Sequence, residues 1–124
     1  MKYILVAGKR DFNDYERFCR EMDQIIKGIG DDVVIVEGSA SGTDYMAGKY
    51  ATEHKIPLKF FIADWNRFGR SAGPIRNEEM VSFLDGKDAM AVFFWDGKSR
   101  GTADCLRRAG KHNIPTVVIR IEGE

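Results

Sequence analysis

Five short apolar runs, each too short for a helix, alternate with four stretches of helical periodicity, and this alternation constrains the fold more than any other feature. The runs are Tyr3–Ala7, Val33–Val36, Leu58–Ile62, Ala89–Trp95 and Thr116–Ile121. They are rich in Val, Ile and Phe, and most are continuously apolar, as expected of parallel strands covered on both faces. Between them, Asn13 and Glu16 have the spacing of a capping box, followed by Phe18, Met22, Ile25 and Ile26 on one helical face, with Gly28 and Gly30 as terminators. Further helices are expected over about Thr43–His54, Pro74–Leu84 and Thr102–His112. The order β-α-β-α-β-α-β-α-β with right-handed crossovers predicts a three-layer, doubly wound, Rossmann-like α/β fold. The expected strand order is 3-2-1-4-5, with ligands bound beyond the carboxyl ends of strands 1 and 4, where the winding reverses.

At 124 residues the chain reads as one domain, 1–124, large enough to bury a core without a metal or disulfide staple. Cys19 and Cys105 form no framework, and the expected compartment is the cytoplasm. No run approaches 18 apolar residues, so no membrane association is expected. Lys plus Arg and Asp plus Glu both equal 19. That balance disfavours a nucleic-acid partner held by bulk charge.

The charges are nevertheless unevenly placed. Four segments follow strands 1 to 4: residues 8–11, 37–44, 63–77 and 95–102. They hold five of the ten arginines (Arg10, Arg67, Arg70, Arg76 and Arg100) but only Lys9 and Lys98 of nine lysines, and seven of 13 glycines. Glycine permits sharp turns and close approach of a ligand to main-chain N–H groups. A helix N-terminus adds unpaired donors and a partial positive charge suited to phosphate. The turn Gly38-Ser39-Ala40-Ser41-Gly42 has phosphate-loop spacing without a Walker lysine, and it reads equally well as a tight turn with Ser41 or Thr43 capping the next helix. Arg100, between Ser99 and Gly101-Thr102, has the fork geometry for phosphate or carboxylate oxygens, or else pairs with Asp96. Arg76 is placed in a helix's first turn, where its charge opposes the dipole and suggests an anionic partner, a nearby Glu79 being the alternative. Asp44 and Asp96 are candidate acceptors for ribose hydroxyls, and Trp65 and Trp95 for stacking on a base or for packing. The segment Ala63–Gly73 is expected to be a functional loop. His54 and His112 sit at helix C-termini, where the dipole favours them. No zinc-type spacing is present, no metal or cofactor is required, and no nucleophile–His–Asp arrangement is legible.

These residues resemble a known family. Gly8-x-Arg10-x-Phe12, Gly38-x-Ala40-x-Gly42-x-Asp44, Ala63-Asp64-Trp65, Ala72-Gly73-Pro74-Ile75-Arg76-Asn77-x-x-Met80 and Trp95-Asp96-Gly97-x-Ser99-Arg100-Gly101-Thr102 are similar to the YspA-type, YpsA-related branch of the SLOG superfamily. The resemblance implies a Rossmann-like fold that binds or senses a nucleotide or nucleotide-derived ligand, with ADP-ribose-like molecules as candidates. A homodimer or higher homo-oligomer is plausible. It also brings two alternatives: a LOG-like phosphoribohydrolase that cleaves the base from a nucleoside monophosphate, and DprA-like binding of single-stranded nucleic acid. Arg76 and Met80 match the hydrolases' Arg-x-x-x-Met motif. The hydrolases' glutamate, three residues after a Gly-Thr pair, falls on Cys105, with Asp104 beside it as a substitute and Glu37 as another. A thiol of ordinary pKa cannot stabilise an oxocarbenium ion as a carboxylate does. The branch's Gly-Gly-Ala-Arg-Gly turn reads Gly38-Ser39-Ala40-Ser41-Gly42, with serine where the arginine stands.

Overall fold

A computed structural model describes residues 1–122. Its strands are β1 (Lys2–Gly8), β2 (Val33–Glu37), β3 (Leu58–Phe60), β4 (Ala89–Trp95) and β5 (Thr116–Arg120). They form one parallel sheet in the order β3-β2-β1-β4-β5. Five helices connect them: α1 (Tyr15–Ile29), α2 (Thr43–Glu53), α3 (Trp65–Phe68), α4 (Ala72–Phe83) and α5 (Arg100–Lys111). The expected doubly wound sheet and its strand order are what the chain adopts.

The two-residue period of β1 divides the core. Ile4 and Val6 join Phe18, Met22, Ile35 and Tyr50 in one apolar cluster, while Leu5 and Ala7 join Val36, Met80, Phe93 and Cys105 in the other. Both clusters are needed, because β1 and β4 are covered on each face: Ile4, Leu5, Val6, Ala91, Val92, Phe93 and Phe94 are wholly buried. The edge strands differ. All three residues of β3 are exposed, as is most of β5, so those runs are apolar in composition but not buried.

Several boundaries depart from expectation for local reasons. Asp14, not an Asn13–Glu16 box, caps α1, accepting the Arg17 backbone N–H at 3.1 Å. The helix runs through Gly28 to Ile29 and stops at Gly30, whose φ is 112°. The segment Ala63–Gly73 is not an open loop. Asp64 caps α3, a 3-10 turn spans Gly69–Ser71, and α4 starts at Ala72, with Pro74 in its first turn, where proline is tolerated. No helix among the described residues is long and apolar enough to cross a membrane.

Candidate ligand-binding site

A cavity of about 520 Å³ opens beyond the carboxyl ends of the central strands. Ten of the residues expected to contact a ligand line it: Gly8, Arg10, Ser41, Asp44, Arg76, Asn77, Ser99, Arg100, Gly101 and Thr102. Six others, Gly38, Ser39, Gly42, Trp65, Trp95 and Asp96, lie outside the lining. Lys9, Ala40, Met80 and Cys105 line the cavity without having been singled out for it.

The β4–α5 turn forms one wall. Asp96 accepts hydrogen bonds from the Lys98 and Ser99 N–H groups, both at 2.8 Å, and from Ser99 Oγ at 3.1 Å. Those donors, Ser99 then Lys98, and the Lys9 ammonium 3.6 Å away hold its carboxyl well below the ordinary range. The Trp95 indole N–H is spent on the Ser99 carbonyl at 3.1 Å. Asp96 and Trp95 therefore build the turn. Arg100 is not paired with Asp96. Among the described residues it has no ion-pair partner, and it is exposed at the first position of α5. The first intrahelical bond runs from Ala103 N–H to Ser99 O, so the N–H groups of Arg100, Gly101 and Thr102 precede the helical ladder. A Cβ built on Gly101 would meet nothing within 4 Å.

The β2–α2 turn forms another wall, and the first backbone donors of the turn are already committed. Glu37 Oε1 accepts the Ser39 N–H, and the Asp44 carboxylate accepts the Ala40 N–H at 3.2 Å and the Gly38 N–H. The Arg76 guanidinium donates to the Gly38 carbonyl and, through Nε, to Asn77 Oδ1 at 3.1 Å. Ser41 Oγ donates to Arg10 O at 3.1 Å and Thr43 Oγ1 to Lys9 O at 2.9 Å, tying this turn to the one after β1. Gly42, at φ 70°, fits against the Arg10 carbonyl so closely that a Cβ would overlap it. Burial raises the Glu37 carboxyl to about 7, against the opposing Ser39 N–H, and burial likewise raises Asp44.

Arg76 is nine-tenths buried. Because α4 begins at Ala72, Arg76 lies beyond the first turn, and the expected conflict with the helix dipole does not arise. The carboxylates whose charge it feels are Glu37 and Asp44, not Glu79. Asp104 does not line the cavity. It accepts from Arg107 (2.7 Å), Arg108 Nε (2.9 Å) and Asn77 Nδ2 (3.0 Å). Burial alone would raise its carboxyl, but these donors lower it. Cys105 does reach the cavity, and burial pushes its thiol up to about 12. Trp65 lies in a neighbouring cleft of about 350 Å³, half exposed, with the Arg10 guanidinium 5.5 Å from its ring. Among the described residues no group of three His, Cys, Asp or Glu side chains is placed to hold a metal ion.

Comparison with known proteins agrees with the motif pattern. Residues 3–68 match the model of the YspA, cpYpsA-related SLOG family. The chain is also 31% identical over 126 aligned positions to the Gene 61 protein of Mycobacterium phage D29, covering 94% of this chain and 95% of that protein. With the doubly wound sheet and its strand-end turns in place, this chain belongs to the YspA, cpYpsA-related SLOG family.

Proposed function

We propose that the protein binds or senses a phosphate-bearing nucleotide or nucleotide-derived ligand, of which ADP-ribose is one candidate, in the cavity beyond β1 and β4. The observation that carries this reading is the open start of α5. Three backbone N–H groups outside the helical ladder, Arg100, which has no ion-pair partner among the described residues, and the side chains of Arg10 and Arg76 line or border one cavity. That combination of helix N-terminus and forked cations suits a phosphate. Family membership points the same way, toward a nucleotide-related ligand. The chain's zero net charge fits a small anion better than a nucleic-acid backbone. A phosphoribohydrolase would have to act through Arg76 with Asp104 or Glu37; Asp104 is engaged by two arginines, and neither carboxylate lines the cavity.

Isothermal titration calorimetry with AMP, ADP-ribose, NAD and cyclic nucleotides tests the reading. At least one is expected to bind, and Arg100→Ala is expected to weaken that binding about tenfold, the scale of one charge-assisted hydrogen bond. Absence of binding to all four at millimolar concentration overturns the reading.

A further inference from the structure

Beside the phosphate cavity, and sharing Ala40 and Asp44 with it, lies a second cavity of about 430 Å³ between the end of β2, the first turns of α2 and Leu58 of β3. Its walls include Ala40, Leu58 and the half-open face at Gly48, with the Tyr45 side chain exposed at the rim. Glu37, Ser39, Asp44, Lys49 and Thr52 also contribute to the lining, and of these Glu37, 6% exposed, presents the carboxyl at the end of β2. Only Oε1 of that carboxyl has a partner, the Ser39 N–H. Oε2 faces Gly48, where an added Cβ would sit 3.8 Å from Oε2 and 3.8 Å from Leu58 Cδ2.

Gly48 is the second observation. It lies in the middle of α2, a position where glycine is disfavoured relative to alanine, and its φ is not in the left-handed region. No turn or backbone crossing requires it. What glycine supplies there is room in front of Glu37 Oε2, between a carboxyl and a methyl group.

From this geometry we infer that the second cavity is a subsite for an amino-bearing nitrogen heterocycle, a nucleobase with an exocyclic amino group, which donates to Glu37 Oε2 while its ring lies between Leu58 and Tyr45. The inference deepens the nucleotide reading and rests on it for the identity of the ligand. The carboxyl is held near neutrality by burial, so Oε2 offers an acceptor to the amino group when ionised and a donor to a ring nitrogen when protonated.

The test is calorimetry on the full chain with five nucleosides and one phosphosugar. Adenosine, guanosine and cytidine carry the amino group, purine riboside and uridine lack it, and ribose 5-phosphate reports the phosphate cavity alone. At least one amino-bearing nucleoside is expected to bind about tenfold tighter than its amino-free counterpart, the scale of a hydrogen bond to a charged group. Gly48→Leu, which fills the slot, and Glu37→Gln, which reverses the hydrogen-bonding sense at Oε2, are each expected to erase that difference. Gly48→Leu is expected to leave ribose 5-phosphate binding unchanged, which also certifies that this variant is folded; far-UV circular dichroism certifies the fold of Glu37→Gln. If ribose 5-phosphate binds and the amino group confers no advantage, the subsite inference is wrong while the phosphate reading stands. If an amino-bearing nucleoside binds in a Gly48-dependent way and ribose 5-phosphate does not bind, the phosphate reading falls and the subsite stands. If the advantage survives Gly48→Leu but disappears in Trp65→Ala, the base lies against Trp65 and the inference is overturned.

Discussion

The turns after β2 and β4 are alike in sequence and opposite in state. Both are rich in glycine and serine, both lead from a buried parallel strand into a helix, and both carry an aspartate. In the β4–α5 turn, Asp96 captures donors that precede the helix, Lys98 and Ser99, and leaves the helix start itself free. In the β2–α2 turn, Glu37 and Asp44 take the Gly38, Ser39 and Ala40 N–H groups at the start of the turn. A phosphate-loop spacing therefore says where donors are gathered, not whether they are available. Which carboxylate lies behind the turn decides that.

The strongest way to break this contrast is to add one methyl group to each turn. Gly42→Ala forces a side chain into the left-handed region and onto the Arg10 carbonyl. Strain of that kind costs about 1–3 kcal/mol, and the overlap adds to it, so a loss of roughly 3 kcal/mol or more is expected. Gly101→Ala meets open space in the first turn of α5 and is expected to be neutral or to stabilise by up to ~1 kcal/mol. Urea unfolding of both variants measures the difference. Equal and small effects would mean that the β2–α2 turn is not locked to the β1–α1 turn.

The next largest effect is in pH dependence. A carboxyl whose folded pKa lies above its unfolded value holds its proton more tightly when folded, so stability falls as pH rises between the two. For Glu37 that window runs from 4.5 to about 7. The full shift corresponds to stability on the order of 3–4 kcal/mol, at about 1.4 kcal/mol per pH unit. Asp96 works in the other direction: its contribution is present above the ordinary aspartate range and is lost as pH falls through its lowered value. His112, raised by Asp85 and Glu78, also loses its contribution as pH rises, so it overlaps the Glu37 window. Urea midpoints from pH 5 to pH 8 are expected to decline in the wild type, less steeply in Glu37→Gln, and to separate from the histidine contribution in His112→Gln. An unchanged slope in Glu37→Gln would place the ionisation elsewhere.

Much of the fold was legible because apolar runs and helical periods are local. The strand order favoured for a doubly wound sheet is the one observed. Burial of the edges was not legible: Val117 and Val118 read as core and are exposed, because β5 has a neighbour on one side only. In the site, Arg10, Arg76 and Arg100 were found through their places beside glycine turns. What sequence could not disclose was partnership. Asp44, Asp96 and Trp95 looked like ligand contacts, yet each is occupied by backbone in its own turn. Glu37 and Gly48 gave the converse problem, since nothing in their spacing says that one faces the other across a strand–helix boundary.

On the open turn, Arg100→Ala separates binding from folding. The side chain is exposed and has no ion-pair partner among the described residues, so its removal is expected to change stability by no more than about 0.5 kcal/mol. Loss of about tenfold in affinity for a phosphate-bearing probe with an unchanged unfolding midpoint is the expected pair of results. The matching change on the closed turn, Asp44→Ala, should do the reverse. It strands the Gly38 and Ala40 N–H groups and leaves Arg76 without one of its two nearby carboxylates, costing about 2–3 kcal/mol of stability. If Arg100→Ala proves as destabilising as Asp44→Ala, the two turns are not different in kind.

The smallest expected effect tests the closed side most selectively. Gly48→Ala adds a Cβ at ordinary van der Waals distance from Glu37 Oε2 and Leu58 and overlaps nothing. The helix interior should gain, since alanine is favoured over glycine there by about 1 kcal/mol. Part of that gain is offset, because the methyl group removes water from the one carboxyl oxygen that lacks a protein partner, and it should push the Glu37 pKa further upward. A net stabilisation of roughly 0.5 kcal/mol is therefore expected at pH 5, where Glu37 is protonated, shrinking toward zero by pH 8, where the carboxylate must be ionised in a drier slot. Unfolding midpoints at the two pH values read this directly. A gain that is the same at both would show that Glu37 Oε2 does not face Gly48, and the glycine would then have no role in keeping that oxygen open.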